Sequence, residues 1–305
     1  MQKNLQEKLK STMDELCLSQ NRVAKEMGYS SAVISQYLAG TYSGDVTAVE
    51  TAITKWIARR LENAQKKQVP VIETKSLQQI TRALRLAHDE KDIALIVGDA
   101  GSGKTTAATT YAADNARTCI LIKCYGMSRR VLTLELAKKL GLETHRVNFD
   151  RLVANVTEHL RDTEQFVILD EADFLRDDAL EFCRRLINDL GESGLALIGL
   201  PTLAYRIQNL KNDHRQLESR IGVFLHVNGL DKKDAAKIAR TVFVDCPDEV
   251  VNATYKVSGR DTRQFVKIIN RAQNIMIVNR EETINLDIID LASSMVMRKG
   301  VLNVS

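Results

Sequence analysis

One stretch, Ile93–Tyr111, constrains the fold of this 305-residue chain more than any other. Its first five residues, Ile93–Val97, are all apolar, which is typical of a buried parallel strand. The next eight residues fit the pattern G-x-x-x-x-G-K-[ST] at every fixed position, and an Ala- and Thr-rich helix is predicted after them. Strand, glycine-rich loop and helix form the context that a phosphate-binding loop requires. The loop consists of Gly98, Asp99, Ala100, Gly101, Ser102, Gly103, Lys104 and Thr105.

The residue types in this loop suit a nucleoside triphosphate. Glycines let the backbone turn its N–H groups towards an anion, and the following helix offers its positive end. Lys104 supplies a charge for the β- and γ-phosphates, and Thr105 supplies a hydroxyl for Mg²⁺. The sequence therefore predicts ATP and Mg²⁺ as cofactors, with the whole loop and Thr106 binding the nucleotide. The alternative is a glycine-rich turn that fits the pattern by chance.

A second motif argues against chance. Phe166–Leu169 is an apolar run, and Asp170 and Glu171 follow it directly. Ligands of parallel α/β sheets bind at the carboxyl ends of strands. Asp170 is therefore predicted to hold Mg²⁺ through water and to border the nucleotide, while Glu171 orients or deprotonates the attacking water.

Further apolar runs alternate with helical segments and predict the sheet. Strands are expected at 118–123, 195–200 and 222–227, and helices at 76–90, 131–140, 149–161 and 175–189. The predicted fold class is an α/β doubly wound parallel sheet of the P-loop type. The predicted boundaries are an all-α domain at 1–62, a linker at 63–75, the α/β core at 76–228 and a helical lid at 229–305.

The first 62 residues resemble a helix-turn-helix. Apolar residues recur at helical spacing, Gly28 is placed for a tight turn, and Ser30 or Ser31 can cap the second helix. That helix would present Ser31, Ser35 and Gln36 to base edges. It contains no Lys or Arg, and residues 1–62 hold eight basic and seven acidic residues. A helical hairpin that binds protein, or nothing, is the alternative, because phosphate contacts supply most DNA affinity.

Basic residues elsewhere predict further contacts with a polyanion. Lys123, Arg129 and Arg130 surround a loop that follows the second predicted strand, and a solvated basic turn is the alternative. Arg220 lies just before the fifth strand, where it can reach a neighbouring subunit's nucleotide or form a surface ion pair. Arg263, at the start of a lid helix, can reach back over the phosphates.

Composition limits the class of protein. The chain is 44% hydrophobic and 27% charged with a formal net charge of +4, which is ordinary for a globular protein and permits a polyanionic partner. The five cysteines show no metal-binding spacing, which favours reduced thiols. The sequence shows neither a secretory h-region nor a membrane-spanning run, so no membrane partner is expected and a cytoplasmic location is predicted.

Taken together, the motifs resemble those of the AAA+ ATPases, and within them the target-DNA-binding ATPases of transposable phages. The resemblance rests on GDAGSGKT, FVILDEADFL, LESRIG and a Gly-x-x-x-Arg segment in the lid, preceded by the repressor-like domain. It covers nearly the whole chain. The two ATPase motifs indicate an ATPase in general, and the order of domains indicates transposition.

The resemblance implies Mg²⁺-dependent ATP hydrolysis, assembly of a homo-oligomer or helical filament on double-stranded DNA, and delivery of that DNA to a transposase. It also implies that Lys104 and Glu171 are catalytic, that Arg220 is an arginine finger and that Arg263 is the lid arginine. One position departs from the family. The fourth strand usually ends in a polar residue, whereas here Leu200 stands there, and Thr202 is the nearest hydroxyl.

Two other functions stay open at this point. One is a nucleotide-regulated transcriptional regulator that selects an operator through the helix-turn-helix. The other is a protein-remodelling ATPase whose partner is polypeptide. Operator-sized footprints would favour the first, and assembly without DNA would favour the second.

Overall fold

A computed structural model describes residues 2–15, 18–65, 70–209 and 215–296. Contacts divide the chain into two compact units, Met1–Gln68 and Val69–Ser305. Among the described residues, no helix is long and apolar enough to cross a membrane. The predicted linker residues 66–69 and Cys17 lie outside the described residues. The other cysteines, Cys119, Cys124, Cys183 and Cys246, are buried free thiols.

The described residues of the first unit form four helices: α1 (Gln2–Glu15), α2 (Gln20–Met27), α3 (Ser31–Ala39) and α4 (Val46–Gln65). Ser19 and Ser30 cap α2 and α3 by accepting backbone N–H bonds, and Gly28 makes the turn between them at φ +78°. Apolar residues from all four helices share one core, among them Leu9, Val23, Ile34, Tyr37 and Ile53.

The end of α4 corrects one predicted boundary. The helix continues to Gln65, three residues into the predicted linker at 63–75. No Gly or Pro occurs between Val46 and Gln65, so nothing in the sequence stops the helix at Glu62. The next helix begins at Lys75, with Thr74 as its cap, one residue before the predicted start.

The second unit is built on a five-stranded parallel sheet in the order β2-β3-β4-β1-β5. Its strands are β1 (Ile93–Gly98), β2 (Cys119–Lys123), β3 (Phe166–Asp170), β4 (Leu195–Gly199) and β5 (Ile221–Val227). All residues of β1, β3 and β4 are buried, as expected for central parallel strands. Because β4 lies between β1 and β3, the acids after β3 face the phosphate loop across the end of β4.

Helices cover both faces of the sheet, which confirms the doubly wound α/β fold. They are α5 (Lys75–Asp89), α6 (Lys104–Asp114), α7 (Arg129–Lys139), α8 (Phe149–Thr163), α9 (Asp177–Cys183), α10 (Pro201–Gln208) and α11 (Arg215–Ser219). One apolar layer joins the sheet to α5 and α6, and a second joins it to α7, α8, α9 and α10.

The helix predicted at 175–189 differs in detail. A 3₁₀ turn spans Ala172–Phe174, α9 begins only at Asp177, and Arg184–Leu190 is a π-helix. The π-helix brings Arg184 and Asp189 into contact, which spacing along an α-helix does not allow. The helices α10 and α11 between the last two strands were not predicted.

In the described residues after β5, four further helices occupy the region of the predicted lid, and they also lie in the second unit. They are α12 (Lys232–Val242), α13 (Asp248–Val257), α14 (Thr262–Asn279) and α15 (Leu286–Val296). The lid has its own apolar core, which includes Phe265, Ile268 and Ile269. It is tied to the α/β core by a hydrogen bond of 2.7 Å from the Lys75 N–H to Asp234 Oδ2.

Candidate functional site

The phosphate loop connects the buried end of β1 to the first turn of α6. Gly101 and Gly103 have φ of +78° and +90°, a left-handed region in which glycine is favoured. Gly98 has no room for a side chain, since a Cβ would lie 2.7 Å from the Val227 carbonyl oxygen. These three glycines therefore occupy positions that the shape of the loop requires.

Lys104 is held against the loop that precedes it. Its Nζ donates hydrogen bonds of 2.6 Å to the Gly98 carbonyl and 2.8 Å to the Asp99 carbonyl, and a third of 3.2 Å to Ser102 Oγ. Burial lowers the pKa of the Lys104 ammonium, and the carboxylate of Asp170 opposes that shift. The cation is thus fixed at the centre of the loop, where it can meet a phosphate.

Asp170 and Glu171 lie at the end of β3 in different environments. Asp170 is 3% exposed and accepts a 3.0 Å hydrogen bond from the Glu171 N–H. Burial raises the pKa of the Asp170 carboxyl above its ordinary value. Glu171 has φ of +57° and its carboxylate lies 3.2 Å from Lys123 Nζ. One acid is therefore fixed beside the loop, and the other stands at the edge of the open space.

That open space is a cavity of about 490 Å³, within the usual size range of ligand pockets. The phosphate loop, the end of β3 with the 3₁₀ turn after it, the end of β4 and the first turns of α14 surround it. Its lining residues are Ala100, Gly101, Ser102, Gly103, Lys104, Thr105, Thr106, Asp170, Glu171, Asp173, Phe174, Gly199, Leu200, Thr262, Arg263, Val266 and Lys267. The predicted Arg263 therefore lies on the same cavity as Lys104, Asp170 and Glu171.

The lid touches the phosphate loop directly. The Thr262 N–H donates a 3.1 Å hydrogen bond to the Gly101 carbonyl, and a Cβ at Gly101 would lie 1.9 Å from Asp261 Oδ1. A second cavity of about 190 Å³ adjoins the first, with mainly apolar walls from the segment before α5, the loop, α12 and α14. Such a pair of cavities fits a nucleotide, with the phosphates at Lys104 and the base in the apolar space.

The donors near Asp170 fit Mg²⁺. Among the described residues, no group of three or more His, Cys, Asp or Glu is placed to hold a metal ion. Mg²⁺ does not need such a group, because it is usually held by one or two carboxylates together with phosphates and water. The hydroxyl of Thr105 and the carboxylate of Asp170, which line the same cavity, would supply the protein ligands.

Arg220 lies at the amino-terminal ends of the strands, opposite the end where the phosphate loop lies. It directly precedes β5, whose first residue, Ile221, pairs with Ile93 at the start of β1. The phosphate loop follows the far end of β1, about 20 Å away at the rise of a parallel strand. The Arg220 side chain is 59% exposed and lies 3.8 Å from Asp189 Oδ1. It therefore cannot reach the nucleotide cavity of its own subunit.

Residues 86–207 match the family model described as "AAA domain". This stretch of the chain, which lies within the α/β core, is similar to AAA domains. This match and the geometry of the cavity confirm that the protein is an ATPase. They also confirm the α/β P-loop fold with helices on both faces of a parallel sheet.

Three curated relatives match this chain over most of its length. The Mu-like prophage FluMu DNA transposition protein B of Haemophilus influenzae is 25% identical over 257 residues, which is 82% of this chain and 89% of that protein. The ATP-dependent target DNA activator B of Escherichia phage Mu is 29% identical over 226 residues, or 72% of this chain and 71% of that protein. The same protein of Escherichia phage D108 has the same identity and coverage. The predicted resemblance to phage ATPases of this kind is confirmed.

Two solved structures share the fold. The ORC2 protein of Aeropyrum pernix, in ADPNP–ADP complexes, has a TM-score of 0.58 and 14% identity, over 80% of this chain and 72% of that chain. The RuvB Holliday junction branch migration motor of Thermotoga maritima has a TM-score of 0.50 and 20% identity, over 72% of this chain and 68% of that chain. At such identities the likeness concerns the fold alone.

The predicted DNA contacts in the α/β core have different partners. Lys123 pairs with Glu171 at the mouth of the nucleotide cavity, so the structure joins a predicted DNA contact to a predicted catalytic acid. Arg129 lies 3.6 Å from Asp178, and the Arg130 guanidinium lies 6.0 Å from the Phe149 ring. In the other unit, Ser31, Ser35 and Gln36 are all exposed on α3, as expected.

Sequence reasoning missed several residues that line the cavity. Asp173 accepts a 3.1 Å hydrogen bond from the Leu200 N–H, so a carboxylate stands where the family usually has a polar side chain at the end of β4. Thr202, the nearest hydroxyl in the sequence, does not line the cavity. Lys267 does, and its place one helical turn after Arg263 is the signal that could have identified it.

Proposed function

We propose that the protein is an Mg²⁺-dependent ATPase that assembles on double-stranded DNA with little sequence preference and delivers that DNA to a transposase. The observation that carries the proposal is the cavity that gathers Lys104, Asp170, Glu171 and Arg263 from loop, sheet and lid. The names of the relatives support the DNA and transposition parts, since two are ATP-dependent target DNA activators. The protein would act in the host-cell cytoplasm, on DNA.

Within the cavity each residue has a proposed role. The loop from Gly98 to Thr106 surrounds the phosphates, and Lys104 neutralises their charge. Thr105 and Asp170 hold Mg²⁺, which supplies further neutralisation of the phosphates when it is bound. Glu171 orients or deprotonates the attacking water. Arg263 contacts the phosphates from the lid and thereby links its position to the nucleotide.

Arg220 is proposed to act on the nucleotide of a neighbouring copy. The sheet separates it from its own phosphate loop, and its guanidinium is largely exposed. An arginine supplied by another subunit can stabilise the charge that develops on the γ-phosphate. Hydrolysis then depends on assembly, and assembly on ATP, so a homo-oligomer or filament would form on DNA in the ATP state.

The proposed grip on DNA is electrostatic. The net charge of +4, together with Lys123, Arg129 and Arg130, would favour backbone contacts that carry little sequence information. The exposed face of α3 would add a weak contact through Ser31, Ser35 and Gln36. Affinity for DNA is therefore expected to fall steeply with salt and to depend little on sequence.

Electron microscopy of the protein with random-sequence duplex DNA, Mg²⁺ and ATP tests the proposal. A continuous coat on the DNA is expected for the wild type and for Glu171→Gln, which keeps the ATP site. Lys104→Ala, which lacks the phosphate-binding cation, should leave the DNA bare. Addition of a Mu-type transposase should remove the wild-type coat but not the Glu171→Gln coat.

Two results would favour the other functions. A short footprint on one sequence, with no coat elsewhere, would indicate a transcriptional regulator that reads an operator through α3. ATP-driven assembly that is indifferent to DNA would indicate a protein-remodelling ATPase. Either result would contradict the proposal.

A further inference from the structure

A buried ionic network lies beneath Arg220. Its centre is Arg184, whose side chain is 4% exposed. Arg184 Nε donates a 2.8 Å hydrogen bond to Glu181 Oε1, Nη2 donates one of 3.0 Å to Gln216 Oε1, and Nη1 contacts Asp189 Oδ2. A buried guanidinium is costly unless its donors are satisfied, and here each of its three nitrogens has an acceptor.

The contact between Arg184 and Asp189 depends on the π-helix. In an α-helix of 3.6 residues per turn, side chains five positions apart point about 140° away from each other. The bonds between residues i and i+5 of a π-helix bring such positions onto one face. The segment Arg184–Leu190 is a π-helix, so the rare geometry occurs where the ion pair needs it.

The two carboxylate oxygens of Asp189 contact two different arginines. Its Oδ2 contacts the buried Arg184, and its Oδ1 lies 3.8 Å from the exposed Arg220 Nη2. The carboxylate is therefore fixed by an interior cation and offers its free oxygen to a surface cation. Gln216, which also bonds Arg184, belongs to α11, the helix that leads into Arg220. Both the side chain and the backbone before Arg220 are thus tied to the same guanidinium.

We propose that Asp189, anchored by Arg184 across the π-helix, is the positioning residue that aims Arg220 at the nucleotide of a neighbouring copy. This rests on the proposed role of Arg220. One carboxylate oxygen at 3.8 Å restricts the long side chain while leaving donors of the guanidinium free for a phosphate. An arginine with four rotatable side-chain bonds would otherwise sample many directions, and misplacement of a catalytic group is costly.

The test places Arg220 and the active ATP site on two different variants, so that the effect of Arg220 is measured separately from that of the site. The recipient is Arg220→Ala, which has an intact ATP site but no finger. The donor is Glu171→Gln, which has an intact Arg220 but a site that should not turn over. Mixed on duplex DNA with Mg²⁺ and ATP, the donor is expected to restore hydrolysis to the recipient.

A second donor combines Glu171→Gln with Asp189→Asn. If Asp189 positions Arg220, this donor should restore about fivefold less hydrolysis than the first, at an unchanged KM for ATP, because only the finger is altered. A donor that combines Glu171→Gln with Glu192→Gln is the matched control. Glu192 pairs with Arg161, 3.2 Å away, and its replacement should leave the restored hydrolysis unchanged.

The outcomes separate the two proposals. Failure of the first donor to restore any hydrolysis would overturn the role of Arg220 itself. Full restoration by the Asp189→Asn donor, with the first donor active, would overturn the positioning role alone. Folding is checked in the same assay, since the single variant Asp189→Asn should hydrolyse ATP normally when Glu171→Gln supplies its finger. If Asp189→Asn does not fold, Asp189→Glu keeps the charge but moves the carboxylate, and its full restoration would also overturn the inference.

Discussion

The nucleotide cavity and the exposed face of α3 are two surfaces for which the sequence predicts a ligand, and they are built differently. In the cavity, Lys104 makes three hydrogen bonds and Asp170 is 3% exposed. On α3, the residues predicted to touch bases, Ser31, Ser35 and Gln36, are exposed. The opposite side of the same helix is buried through Ile34 and Tyr37.

The difference reflects what each kind of ligand requires of the protein. Hydrolysis needs charges held in fixed places, so the cavity draws residues from a loop, two strand ends and the lid. A grip on the DNA backbone needs only positive charge at the surface, and α3 supplies none. Changes in the cavity should therefore have large effects, and changes on α3 small ones.

The largest effect is expected from Glu171→Gln. A positioned base contributes about 10²–10⁴ to a rate, so turnover should fall by about that factor while ATP binding persists. DNA-bound assemblies should then outlast those of the wild type. Phosphate release and DNA dissociation into excess competitor DNA measure both. Hydrolysis within a few-fold of wild type would exclude Glu171 as the base.

Gly101→Ala tests the contact between loop and lid. A Cβ there would overlap Asp261, which caps α14 through a 3.0 Å bond from the Gln264 N–H, and φ of +78° adds strain. ATP affinity should fall about tenfold as the lid is displaced. Gly126→Ala is the matched control, because a Cβ there meets nothing within 4 Å. Equal affinities for the two variants would show that the lid does not need this contact.

Lys123, Arg129 and Arg130 of the α/β core should contribute unequally to DNA binding. Within the described part of the chain Arg130 makes no ion pair, whereas Lys123 is paired with Glu171 and Arg129 with Asp178. Arg130→Ala should therefore weaken binding most, about fivefold at low salt, and lower the salt slope by roughly one. Lys123→Ala should weaken it least. Affinities measured over a series of salt concentrations decide the order, and a reversed order would contradict this account.

Asp170→Asn should make the protein inactive and more stable. Burial raises the pKa of Asp170 in the folded state, so the folded chain favours the protonated carboxyl. That stability is present below the pKa of the unfolded chain and is lost as pH rises through the folded pKa. At pH 7 without Mg²⁺, the neutral Asn should therefore raise the Tm, because it removes the cost of burying the charged carboxylate. The gain should shrink at pH 4.

The matched control is Asp114→Asn, which changes an exposed acid on α6. Its Tm should follow that of the wild type at both pH values. A lower Tm for Asp170→Asn at pH 7 would mean that the hydrogen bond from the Glu171 N–H outweighs the burial of charge.

Local patterns were sufficient for the strands and the loop. The observed β1, β2, β4 and β5 differ from the predicted strands by one residue at an end, because apolar runs and glycine spacing are local signals. The pairing of Lys123 with Glu171 follows from the register of β2 beside β3, where Lys123 pairs with Asp170. Strand order is a property of the whole sheet, so no window of sequence could indicate that contact.

The π-helix and Asp173 were missed for related reasons. The ion pair of Arg184 and Asp189 stabilises a geometry that helical periodicity does not represent. Asp173 faces the cavity because the 3₁₀ turn after Glu171 reverses the chain towards Leu200. In the first case a side-chain ion pair across a π-helix fixes the position of Asp189. In the second, a hydrogen bond from a backbone N–H distant in the sequence fixes the position of Asp173.

The smallest effect is expected from replacing Ser31, Ser35 and Gln36 together with alanine. None carries a charge, so affinity for random-sequence DNA should change by about twofold or less and the salt slope should not change. The helix should persist, because Ser30 still caps it and alanine is a good helix former. Fluorescence anisotropy on several duplexes of unrelated sequence, with ATP and Mg²⁺, measures this. A loss of tenfold or more on one duplex and none on the others would mean that α3 reads bases, since hydrogen bonds to base edges are what such a substitution removes. The contrast between cavity and α3 would then fail, and an operator-binding regulator would become the better account of the chain.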